Sequence, residues 1–231
     1  MSYNPTDVST WPCYRPQLLA HDVGRSRDRS TAVLGGGAPC GQRLVGIGEA
    51  LELPQGLFAS ARANALAAVD RDYHNNSLIV ADLSNDATYA ETLYDTFGPR
   101  VIGVHITRHG DGMNHEIRQV RGGYLPVYPI GRTYLIELLH SELQSNLVRF
   151  ADTAMMRGVY AQLADLELEH RESGKVYACP PGKHDDLGIS VAMLVFAARH
   201  PHLEAWLRRL ETARRPRRPI REPFDWGLAC T

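Results

Sequence analysis

The chain has 231 residues, 44% hydrophobic and 22% charged, with a formal net charge of −1. That size and balance suit one globular domain, alone or with an extension, and exclude a disordered or low-complexity chain. The longest apolar run, within Leu187 to Ala198, is too short and too interrupted to span a bilayer, so no membrane association is expected.

Cys13, Cys40, Cys179 and Cys230 are scattered and form no CxxC pair, which argues against a zinc site and against a disulfide framework. A reducing compartment is therefore expected. The stretch "MSYNPTDVSTWPCYRP" has no basic segment leading into an apolar one, so no signal peptide is expected.

Residues 1–16, polar and proline-containing, read as a loose lead-in. "QLLAHDV" predicts a short buried strand near Gln17 to Val23, closed by Gly24. "STAVL" and "RLVGIGEALEL" predict two more strands, near Ser30 to Leu34 and Arg43 to Leu53, and the turn-rich "GGGAPCGQ" between them suits a hairpin. These three make an antiparallel meander. A helix is expected from about Gln55 to Tyr73, then a strand in "NSLIVADLS" ending at Asp82. "DATYAETLYDTFG" reads as a helix stopped by Gly98, and "RVIGVHIT" as a strand. A strand–helix–strand run of this length implies a parallel pair with a right-handed crossover.

Further on, "RGG" marks a hairpin turn, and helices are expected at Arg132 to Gln144 and Asp152 to Glu169. "GKVYACPPG" reads as a short strand and loop, and "DDLGISVAMLVFAARH" as the last helix. The sum is an α/β fold with a mixed sheet, three antiparallel strands followed by parallel ones, flanked by helices.

Three acidic positions stand out. Asp22 ends the first strand and Asp82 the fourth, and strand ends beside a parallel crossover are where sites collect. Each could equally form a turn. Asp86 is the better cap for the helix that follows Asp82. Asp185 and Asp186 open the last helix, whose positive N-terminal dipole favours negative charge. Capping explains one of the two less awkwardly than both, because helical neighbours point about 100° apart. Leu187, Val191, Leu194 and Ala198 form one apolar stripe and Ile189, Met193 and Phe196 another, so this helix is expected to be buried. Carboxylates at the mouth of a buried helix suggest a polar cavity or a cation. Carboxylates from two strand ends and a helix start suit two hard cations about 3.5–4 Å apart.

"HDVGRSRDRSTAVL", "LIVADLSNDATYAETL" and "KHDDLGISVAMLVFAAR" together resemble the nuclease domain of phage terminase large subunits, which have an RNase H-like (RuvC-like) fold. The resemblance spans roughly Gln17 to His200, and the HDD ahead of an apolar helix is its most specific part. It implies a nuclease domain at 17–204 and an arginine-rich tail at 205–231. It also implies a metal-dependent endonuclease that cleaves double-stranded DNA during viral genome packaging, with two Mg²⁺ or Mn²⁺ ions. Residue by residue, Asp22 matches the first-strand ligand and Asp82 the second. Asp186 or its neighbour Asp185 matches the third, with Asp186 favoured. His184 would contact a phosphate or support a ligand from behind. The implied partners are a packaging ATPase, a terminase small subunit and a portal, and the implied location is the cytoplasm of a bacterial host.

This sequence departs from the pattern at Ile189, where many relatives carry another Asp. It also lacks a G-x-x-x-x-G-K-[ST] loop, so the ATPase motor is absent from the chain. Lys175 and Lys183 are candidate DNA contacts. From Arg208 to Arg221 there are seven arginines and one acid, Glu211. This run, with Arg214, Arg215, Arg217 and Arg218 at its centre, reads either as a solvated tail or as a phosphate-contacting arm.

Three rivals differ in class. Another nuclease of the same fold, such as a Holliday-junction resolvase, would use the same acids. "HDVGRSRDRST" is also similar to the first phosphate loop of actin-like ATPases, but "VADLSND" does not supply their second loop. A non-catalytic DNA-binding assembly protein would have kept the fold and lost the activity.

Overall fold

The computed structural model describes residues 18–24, 29–37, 44–72, 77–84, 86, 88–107, 116–171, 174–180, 184–201 and 205. Strands β1 (Leu18–Asp22), β2 (Thr31–Gly37) and β3 (Val45–Glu52) form the expected antiparallel meander. Helix α1 (Ala59–Asp72) leads to β4 (Leu78–Asp82), and α2 (Tyr89–Phe97) with a 3-10 turn (Gly98–Arg100) leads to β5 (Val101–Thr107). β4 pairs in parallel with both β1 and β5, as a crossover connection requires.

A hairpin follows, β6 (Glu116–Val120) and β7 (Gly123–Gly131), with its turn at Gly122, where φ is +86°. A positive φ is what glycine supplies without steric cost. Then come α3 (Arg132–Gln144), β8 (Val148–Phe150), α4 (Ala154–Ala164), β9 (Glu167–Arg171), β10 (Gly174–Ala178) and α5 (Asp186–Arg199).

The main sheet has eight strands in the order β6-β7-β5-β4-β1-β2-β3-β8, and β9 and β10 make a separate antiparallel pair. This is the mixed α/β architecture expected from the sequence, with two differences. The helix expected to run to Glu169 stops at Ala164. Beyond it "ELEHR", with one apolar residue in five and no strand period of its own, pairs across to β10, so cross-strand pairing prevails there over helix propensity. β8 was not expected. Its three residues are too few to show a period, and only pairing with Val45, Gly46 and Ile47 of β3 makes them a strand. Residues 1–16 and nearly all of 205–231 lie outside the described residues.

Side-chain alternation divides each strand between two cores. Leu18 and Ala20 of β1, with Leu78 and Val80 of β4, pack beneath α3, α4 and α5. Leu19 and Val23, with Ile79 and Ala81, pack against α1 and α2. Helix α5 lies over β1 and β2 and is buried at every position from Leu187 to Ala197. Ile189 is part of that core, 2% exposed, and offers no oxygen ligand there. The close approach of helix to sheet depends on Gly35 at the irregularity between β2 and β3. A Cβ added there would stand 2.4 Å from the carbonyl oxygen of Gly46 and 3.1 Å from Leu194.

Gly35→Ala must push apart either β2 and β3 or the sheet and α5, and is expected to cost about 3 kcal/mol. Gly158→Ala, in the exposed middle of α4 with open space around it, is expected to stabilise by about 1 kcal/mol. Urea denaturation of the two variants checks both signs.

Candidate metal centre

Parity puts Asp22 and Asp82 on the α5 side of the sheet, since Leu18 and Ala20, and Leu78 and Val80, already face that side. β1 and β4 are in parallel register up to His21 opposite Ala81, so the two aspartates end neighbouring strands one step further on. α5 brings in the other two. The carbonyl of Asp186 accepts a hydrogen bond from Thr31 Oγ1 at 3.1 Å, and Thr31 is the β2 residue paired with Asp22. The same hydroxyl lies 2.9 Å from Ser190 Oγ. Thr31 thus fastens the first turn of α5 beside the end of β1.

The electrostatics record that gathering. The Asp22 carboxyl titrates well above the usual carboxylate range, first because it is removed from water. The negative charges of Asp82, Asp186 and Asp185 then add to the rise, against a smaller opposing pull from Arg132. Asp82, 5% exposed, is also raised by burial. Hydrogen bonds from Ser84 oppose that rise: its N–H donates to Asp82 Oδ1 at 2.9 Å, and its hydroxyl donates to the same oxygen. Asp82 therefore does serve the turn after β4, the alternative role that the sequence offered for it. Asp86 is occupied as expected, with Oδ1 accepting from the N–H groups of Thr88 and Tyr89 at 3.1 Å each.

Asp185 corrects the capping idea. It stands at the cap position of α5 but makes no side-chain cap bond. Instead its carboxylate is ion-paired with Arg132, the first residue of α3. The open N–H of Leu187 is taken by Gln162 Oε1 of α4 at 3.2 Å. A residue from another helix does the capping, so neither aspartate is spent on it. Among the described residues no three His, Cys, Asp or Glu side chains stand together as a ready-made metal cluster. The donor set still fits a hard divalent cation. Asp22, Asp82 and Asp186 are carboxylates from three elements whose mutual charge is only partly offset by Arg132. Asp70 makes the contrast. It is equally buried, but it accepts from Arg100 at 2.7 Å and from the Ser77 N–H at 3.0 Å, an ordinary structural pair far along the sheet.

His184 is exposed and lines a cavity of about 370 Å³ beside Asp186, together with Arg29, Thr31, Glu52, Gln55 and Gln162. Lys175 lies on β10 opposite His170 of β9. Lys183, Arg214, Arg215, Arg217 and Arg218 lie outside the described residues. Sequence reasoning had not nominated Arg132, Thr31, Ser84, Gln162 or His21. Ser84, two residues after Asp82, fits an Asx-type turn and was detectable. The others become visible only where separate elements meet.

His21 points to the opposite side of the sheet, fully buried. Its Nδ1 lies 2.9 Å from the Thr31 carbonyl and its ring meets Tyr89 edge-on at 5.7 Å. Burial lowers its pKa to about 4, so it is neutral. With Nδ1–H donating to Thr31, it ties down the strand residue that in turn holds α5.

No family model matches the sequence, and no curated protein matches it significantly. The fold, however, is that of solved terminase nuclease domains, an RNase H-like nuclease fold. The magnesium-bound large terminase nuclease of the thermophilic phage G20c aligns with a TM-score of 0.55 at 18% identity, over 80% of this chain and 82% of that one. The manganese-soaked terminase nuclease domain of human cytomegalovirus aligns with a TM-score of 0.55 at 12% identity, over 86% and 92%.

Two stability effects follow from these charges. Asp22 has a folded pKa above its unfolded one, so its ionised form at neutral pH opposes folding. Asp22→Asn is therefore expected to raise the melting temperature of the protein in EDTA at pH 7.5. His21 acts in the opposite sense. Its folded pKa lies below the unfolded value, so its contribution is complete above about pH 6.5 and is lost as pH falls towards 4. Relative to His21→Gln, the wild type should lose about 3 kcal/mol across that window, measured by urea titration at stepped pH.

Proposed function

We propose that the chain is a divalent-metal-dependent endonuclease acting on double-stranded DNA. One observation carries this reading. Asp22, Asp82 and Asp186 are gathered from three elements against their mutual repulsion, at a cost to Asp22 that no hydrogen bond described here offsets. The structural carboxylate of Asp70 instead meets Arg100 and the Ser77 N–H, where Asp22 meets three carboxylates. A site kept at such a cost is the usual mark of function. The likeness to magnesium- and manganese-bound terminase nucleases supports the same reading.

On this reading Asp22, Asp82 and Asp186 hold two Mg²⁺ or Mn²⁺ ions. Such ions supply Lewis-acid polarisation of a phosphodiester and a water acidic enough to attack it near neutral pH. The chain's own residues do the positioning. Thr31 keeps α5 in register with β1, Ser84 orients the Asp82 carboxylate, and the 370 Å³ cavity gives the strand beside the scissile phosphate room next to His184. Lys183 and the arginines from Arg214 to Arg218 add sequence-independent attraction to phosphates. The sequence has no nucleotide-binding loop of the Walker type. In genome packaging, DNA movement would therefore come from an ATPase on another chain or in another part of a longer one, working with a small subunit and a portal.

Supercoiled plasmid incubated with the protein and Mn²⁺ should be nicked and then linearised, and EDTA should abolish this. Asp82→Asn and Asp186→Asn should each lower the nicking rate by about 100-fold or more. Variants that nick at the wild-type rate would remove these residues from the site.

A further inference from the structure

Arg132 is the one basic side chain that acts on Asp22 among the described residues, set against three neighbouring carboxylates. It opens α3 directly after β7, so the backbone fixes where its side chain starts. The guanidinium makes two contacts. Nη2 donates to Asp185 Oδ2, and Nε donates to the Tyr177 carbonyl of β10 at 3.2 Å. Both partners are partly buried, with side-chain exposures of 26% for Arg132 and 16% for Asp185. The planar fork suits two acceptors at once, which a lysine ammonium cannot hold in the same fixed geometry. Among the described residues Asp185 has no second side-chain partner, since Gln162 caps the helix in its place.

We propose that Arg132 is a positioning residue of this site, a built-in counter-cation that holds Asp185 out of the metal position, the metal ligands being Asp22, Asp82 and Asp186. The inference rests on the metal-dependent reading above. Its physical content has two parts. Arg132 selects which of two adjacent aspartates can reach a cation, because a carboxylate held by a guanidinium is not available to a second positive centre without breaking that pair. Its charge also offsets part of the carboxylate repulsion in the metal-free protein, and by the same Coulomb term weakens the pull of the site on a cation.

The two parts give Arg132 a signature that a merely structural residue lacks. With the full chain, Arg132→Gln removes the opposing charge and frees Asp185, so Mn²⁺ binding measured by titration calorimetry should tighten about tenfold. Its melting temperature in EDTA should meanwhile fall. Arg132→Lys keeps the charge but not the fork, and should tighten Mn²⁺ binding by less than Arg132→Gln does. Asp185→Asn should still bind Mn²⁺, whereas Asp186→Asn should lose binding. A folded Arg132→Gln variant whose Mn²⁺ affinity is unchanged or weaker overturns the proposal. So does an Asp185→Asn variant that loses Mn²⁺ as completely as Asp186→Asn, a readout that stands even if Arg132→Gln does not fold. A wild-type protein that binds no Mn²⁺ overturns the metal-dependent reading and this one together. Wild-type binding and nicking without the tightening overturns only the role of Arg132.

Discussion

Helix α5 has no polar face, and the molecule is arranged around covering it. From Leu187 to Ala197 every residue is buried, so sheet and helices must close on it from all sides. β1 and β2 lie beneath it, and α3 and α4 pack beside it. Gly35 allows the approach, since a side chain there would press on Leu194 of α5 as well as strike the Gly46 carbonyl of β3. Once the helix is seated, its first turn has one place to be, at the carboxyl ends of β1 and β4. The acidic residues are together because the apolar part of α5 has nowhere else to go.

That seating costs electrostatic energy at one end of the sheet. The carboxylates of Asp22, Asp82, Asp185 and Asp186 converge where burial already disfavours charge, and Asp22 carries the largest part of the strain. The fold meets this with local devices rather than by dispersing the charges. Ser84 donates twice to Asp82, Arg132 neutralises Asp185, and Gln162 caps α5 so that no aspartate has to. On the other side of the sheet, neutral His21 secures the Thr31 backbone from which the α5 contact is made. Packing energy from α5 holds an arrangement that electrostatics alone would open, the usual trade between a stable core and a functional site.

The likeness to solved terminase nucleases lies at the level of fold, at identities below one in five. It is the internal geometry that gives the acids their meaning. Asp70 is as buried as Asp82 but sits in a closed pair with Arg100 and Ser77, and nothing about it suggests chemistry. Ile189, three residues after Asp186, is buried in the core and offers no oxygen ligand.

Local pattern carried much of this into the sequence. Short apolar runs bounded by turn residues marked β1 to β5, glycine at 98 and 122 marked a helix end and a turn, and an apolar run behind two aspartates marked α5 as a buried helix with an acidic mouth. Those features depend on residues near one another in the chain, so period and turn chemistry reveal them. β8 and β9 were missed because three residues show no period and because Glu167–Arg171, polar but for one leucine, reads as a continuation of the helix. The pairing of Asp185 with Arg132 was beyond reach of the sequence. Each is an aspartate at a helix start, alike in every local respect. They differ only in what comes to meet them, Arg132 from α3 for one and the ends of β1, β2 and β4 for the other. Sequence determined that acids would stand at the mouth of a buried helix. Tertiary structure decided that Asp185 is held by a cation of the protein's own, because that depends on a side chain brought from more than fifty residues away.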